Sequence, residues 1–77
     1  MNGFCRFLRE DGRRILIGYG VEDKECAGRL SYDKATREFE ILELSGTENQ
    51  TRHLICALRS RLRLGYELNK LYYLAVG

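Results

Sequence analysis

The sequence has no proline and no tryptophan, a single histidine, a single methionine and three cysteines among 77 residues. These scarcities exclude a good deal. There is no proline-rich linker, and no low-complexity stretch or internal repeat divides the chain, so one small domain is expected over residues 1–77. Cys5, Cys26 and Cys56 are odd in number and widely spaced, unlike the even framework of a disulfide-stapled secreted domain, and suit reduced thiols. The longest uninterrupted apolar run, Leu71 to Val76, falls far short of the ~20 residues that a membrane-spanning helix needs. The opening Met1-Asn2-Gly3-Phe4-Cys5-Arg6 has neither the basic region and apolar core of a secretory leader nor the second-position glycine of a myristoylation site. A cytoplasmic protein, bacterial or phage-encoded and without a membrane partner, is the resulting expectation.

Hydrophobic residues make up 44% of the chain and charged residues 31%, a balance ordinary for a folded domain and too apolar for a disordered tail. At this size folding buries only about 60–65% of the surface that the unfolded chain exposes, so every apolar face has to be used.

Phe4 to Tyr19 reads as a β-hairpin turning at Asp11-Gly12, a pair suited to the positive φ angles of a two-residue turn. That turn sets Leu8 opposite Ile15, Arg6 opposite Ile17 and Phe4 opposite Tyr19. One face then carries Phe4, Leu8, Ile15, Ile17 and Tyr19, and the other Cys5, Phe7 and Leu16. Gly20 to Glu25 is polar and reads as a loop. A second hairpin runs from about Ala27 to Leu44, with Asp33 accepting hydrogen bonds across the turn. If Lys34 to Arg37 form the loop, Tyr32 faces Phe39 and Leu30 faces Ile41, while Arg29, Ser31, Glu40, Leu42 and Leu44 share the reverse face.

Two overlapping capping boxes, Ser45 with Glu48 and Thr47 with Gln50, mark the start of a helix. Thr51, Leu54, Ile55, Leu58 and Leu62 form the stripe of a helix lying on a sheet, and Gly65 ends it. Lys70 to Val76 is aromatic and aliphatic on both sides, as a strand buried in a sheet or against a partner would be. The fold class is therefore α+β: a two-layer sandwich in the order ββββαβ, with an antiparallel sheet of four to five strands and one amphipathic helix on a face.

Chemistry-bearing constellations are sparse. Cys5, Cys26, His53 and Cys56 make a formal Cys3His zinc set, but no CxxC knuckle is present and the cysteines are explained as small apolar packers, so no metal site is expected. His53 and Cys56 lie one helical turn apart without an orienting third group, and Gly18-Tyr19-Gly20 precedes no helix that could hold an anion. The expectation is a protein that is not an enzyme, with no catalytic residue, no cofactor and no small-molecule substrate.

Charge is unevenly spread. Residues 1–14 carry four arginines and two acids, residues 15–50 four bases and eight acids, and residues 51–77 five bases and one acid, for an overall +2. Arg52, Arg59 and Arg63 project within about 40° of one another, opposite the apolar helix stripe. Such a stripe can grip phosphates through bidentate contacts, or stand in solvent, or answer an acidic protein surface. In layout alone, strands followed by a helix resemble three-strand-plus-helix DNA-binding domains such as the arm domains of tyrosine integrases. Those domains read the groove with basic residues on the free sheet face, which here would hold Cys5, Phe7, Leu16, Leu42 and Leu44 beside Arg9, Arg14 and Arg29.

One helix covers one sheet face. Ile15, Ile17, Leu30, Tyr32, Phe39 and Ile41 suit the helix stripe, which leaves Phe7, Leu16, Leu42, Leu44 and Tyr72 uncovered. These five residues are the expected interface of a homodimer, or of another protein partner, in a small regulatory or accessory module. The alternative cover is the chain itself, through a strongly curled sheet and the connections at Gly20 to Glu25 or Tyr66 to Asn69. Nucleic acid bound by Arg52, Arg59 and Arg63 is the second functional reading.

Overall fold

The computed structural model describes residues 1–76. Its elements run β1 (Asn2–Asp11), β2 (Arg14–Val21), β3 (Gly28–Asp33), β4 (Glu38–Glu43), α1 (Glu48–Leu64) and β5 (Tyr72–Ala75). The strands form one antiparallel sheet in the order β4-β3-β2-β1-β5, so the last strand joins the first and pairs within its own sheet. The α+β architecture and the ββββαβ order expected from the sequence are those observed.

The second hairpin and the helix follow their local sequence. Asp33 pairs with Glu38, Tyr32 with Phe39 and Leu30 with Ile41, while the Asp33 carboxylate accepts the Ala35 and Thr36 amides. Thr47 caps the helix: its hydroxyl accepts the Gln50 amide, and the Gln50 side chain accepts the Thr47 amide. The competing box at Ser45 is not used, because the Ser45 hydroxyl accepts the Val21 amide and ties the helix entrance to the end of β2. Gly65 closes the helix at φ 101°. Thr51, Leu54 and Leu58 are fully buried under it.

The first hairpin departs from its expected register. Its turn is Gly12-Arg13, one residue later than Asp11-Gly12, with Gly12 at φ 61° and Asp11 still paired to Arg14. Glu10 then faces Ile15 and Arg9 faces Leu16, but a bulge at Leu8 shifts the ladder so that Phe7 faces Ile17 and Cys5 faces Tyr19. Side chains alternate with period two, so this single extra residue sends Cys5 and Phe7 to the helix-covered face in place of Phe4 and Leu8. The reason lies in the packing. Phe7 is completely buried, stacks on Tyr66 at 4.2 Å between ring centroids and meets the edge of Tyr72 at 6.0 Å.

Burial also pushes the Cys5 thiol up to about 12, so it stays protonated within this core. Tyr66 donates to Glu10 at 2.6 Å, and burial together with that carboxylate pushes its phenol up to about 12.

The opposite face is covered at its centre by the chain itself. The connection after β2 folds back over it: a Cβ at Gly20 would collide with the Asp23 carbonyl, and a Cβ at Gly18 would lie 3.2 Å from the Cys26 carbonyl. Cys26, at φ 55°, is 2% exposed beneath this loop. Tyr66 to Asn69 acts differently, closing the end of the helix side through Tyr66 while the Asn69 amide donates to Phe7.

Candidate functional site

The five residues expected to form an interface do not form one patch. Phe7 lies in the core, and Tyr72, paired with Cys5, is half-buried on the same side under the Arg61 guanidinium. Leu16 is half-buried on the outer face, and Leu42 and Leu44 are exposed at the far β4 edge. The physical cause is the Leu8 bulge for Phe7 and the pairing of β5 onto β1 for Tyr72.

Exposed apolar surface gathers instead around β5. Leu64 is 77% exposed, Tyr73 59% and Leu68 51%, and the Met1 amino group donates to the Val76 carbonyl beside them. Tyr73 faces Phe4 across the ladder, its ring 5.7 Å away, and its hydroxyl donates to the Asn2 side chain. On the helix side, two adjoining shallow grooves run along the strand. One is lined by His53, Cys56, Ala57, Ala75 and Val76, and the other by Ala57, Ser60, Arg61, Leu64 and residues 73–75. The sheet's two outer edges contrast in charge: β4 carries Glu38, Glu40 and Glu43, whereas Tyr72–Ala75 carries none.

The arginine stripe divides. Arg52 pairs with Glu48 at 3.5 Å in the first half of the helix. Arg59 and Arg63 instead border a cleft of about 440 Å³ between the helix and the β3-β4 hairpin, together with Tyr32, Leu62 and Arg37. Arg59 Nη1 donates to the Arg37 carbonyl at 2.9 Å, and its guanidinium lies 4.9 Å from the centre of the Phe39 ring. Arg37, at φ 63° in the tight turn, lies 22 residues from Arg59 in sequence, so helical spacing alone does not join it to this stripe.

The structure does not bring the four metal-type residues together. Cys5 is in the core, Cys26 lies under the opposite loop and Cys56 is exposed on the helix, all as free thiols. Burial raises the Cys26 thiol above its ordinary value, opposed by Arg6. No group of three potential ligands capable of holding a metal ion occurs among the described residues. Among the same residues, no helix is long and apolar enough to cross a membrane.

No family model matches the chain, and neither a curated protein nor a solved structure is significantly similar to it.

Proposed function

We propose that the chain is a non-enzymatic protein-binding module of the cytoplasm that pairs with a second copy of itself through the free edge of β5. One observation carries this reading: β4 guards its open edge with three glutamates, while β5 leaves a row of uncharged residues beside a shallow groove that contains no carboxylate. Charged edge residues are the usual protection against strand pairing, and their absence leaves main-chain donors and acceptors available to another strand. A neutral strand is compatible with its own twofold copy, whereas β4 would bring glutamate against glutamate. A stable interface takes about 800 Å² from each partner. Four strand residues cannot supply that alone, but Leu64, Leu68, Met1 and the Phe4-Tyr73 pair lie beside them. Three free cysteines suit a reducing compartment.

Sedimentation velocity over a concentration range tests the reading. The native chain should form a dimer that Ala75→Glu converts to a monomer, with Leu42→Glu/Leu44→Glu leaving the dimer intact. A native chain monomeric at its highest soluble concentration overturns self-association. The opposite response of the two variants moves the interface to the sheet face.

A further inference from the structure

We infer that the cleft bounded by Arg37, Arg59 and Arg63 is a binding site for a nucleotide, with the phosphate on the arginines and the base against Tyr32 and Leu62. The lining carries three positive charges and no carboxylate. Four of the thirteen lysines and arginines lie in ion pairs, Arg13 with Asp33, Lys34 with Glu10, Arg52 with Glu48 and Lys70 with Glu67. Arg37, Arg59 and Arg63 form no such pair among the described residues.

Arg59 is also held in place. One terminal nitrogen is committed to the Arg37 carbonyl and its flat face to Phe39, which fixes the guanidinium while leaving other N–H groups to donate. A guanidinium ordered in advance loses less conformational freedom on forming a bidentate phosphate contact. The cleft's volume of about 440 Å³ lies within the range of small-ligand sites, and the half-buried Tyr32 and Leu62 add aromatic and aliphatic surface suited to a base. The site stands on the β4 side of the helix and β5 on the opposite edge of the sheet, so it is independent of self-pairing.

The test is an amide-resolved NMR titration of the full chain with AMP, a short oligothymidylate and inorganic phosphate, at low and moderate salt. The expected result is shifts confined to residues around Tyr32, Arg37, Arg59 and Arg63, with AMP or the oligonucleotide bound at least ~5-fold more tightly than phosphate, weakening as salt rises. Arg59→Gln and Arg63→Gln should each weaken binding by about tenfold, and Arg52→Gln by less than about twofold. Tighter binding of the oligonucleotide than of AMP assigns the nucleotide to a single strand, and the reverse order to a free nucleotide. No localised shift with either probe at millimolar concentration overturns the site. Equal losses from Arg52→Gln and Arg59→Gln, in variants with native circular dichroism, also overturn it, because attraction is then diffuse. Phosphate binding as tightly as AMP removes the base from the assignment.

Discussion

Replacing Tyr19 with phenylalanine should remove the joint that holds the helix in its place on the sheet. Tyr19 is fully buried on β2, and its ring is packed so closely over Gly28 that a Cβ there would run into it, so the ring of a phenylalanine should keep the same position. Its hydroxyl accepts the Ser45 amide at 2.9 Å and is 2.7 Å from the Thr51 hydroxyl. Thr51 donates to the Thr47 carbonyl at 3.0 Å, so the shared proton belongs to Tyr19. A chain of hydrogen bonds thus runs from Ser45 through Tyr19 and Thr51 to Thr47 and crosses from the sheet to the first turn of the helix.

Tyr19→Phe leaves the Thr51 oxygen without a donor in the dry interior and the Ser45 amide without an acceptor at the rim. A buried group stripped of its partner costs about 1–3 kcal/mol, and the half-buried Ser45 amide recovers part of its loss from water, so a total near 2 kcal/mol is expected. A domain of this size has only about 4–11 kcal/mol of stability, and the variant should melt roughly 8–16 °C lower. Thr51→Val removes the other hydroxyl, and in the double variant that loss should be smaller by about 1 kcal/mol because no orphaned oxygen remains. Urea denaturation followed by circular dichroism measures all three variants. A loss below about 0.5 kcal/mol for Tyr19→Phe, or single losses that simply add, refutes the hydrogen-bonded chain. The same joint places Arg59 and Arg63 over their cleft.

Two further outcomes follow from the packing and the ion pairs. Phe7→Ala should cost about 3–5 kcal/mol by emptying the space against Tyr66 and Tyr72, whereas deletion of Leu8, which leaves Phe7 opposite Ile17 and Arg9 opposite Leu16 in an unbulged ladder, should cost less; denaturant melts that rank them in reverse contradict the register. Stability should also fall in acid. The Lys34 and Tyr66 hydrogen bonds hold the Glu10 carboxyl below its ordinary value, and at Asp33, where burial alone raises the value, the Ala35 and Thr36 amides with Arg13 and Arg14 outweigh it. Both carboxylates therefore stabilise the fold above the ordinary carboxylate range and lose that contribution as the pH drops through their lowered values. Melting temperature should be level near neutrality and decline below about pH 4; a rise there would contradict these pairings.

Structure set by neighbours a few residues apart was legible in the sequence. The Asp33 turn places Tyr32 opposite Phe39, the Thr47-Gln50 box opens the helix and Gly65 ends it, because each is satisfied by atoms within a single turn of chain. The sidedness of β1 was not legible. An added residue at Leu8 costs little locally, and what rewards it is the contact of Phe7 with Tyr66 and Tyr72, nearly sixty residues or more away. Separation along the chain likewise hid Arg37 from Arg59, whereas the cover of the second sheet face by the loop after β2 is local, Asp23 lying over Gly20 and Cys26 over Gly18, and was one of the two covers that the sequence left open. The amino-acid order by itself thus determined which segments become strands and helix, through turn chemistry, capping and periodicity. Only the tertiary structure decided which side of β1 faces inward, which edge stays open and which arginines share a cleft, because each depends on contacts between residues that chain proximity does not bring together.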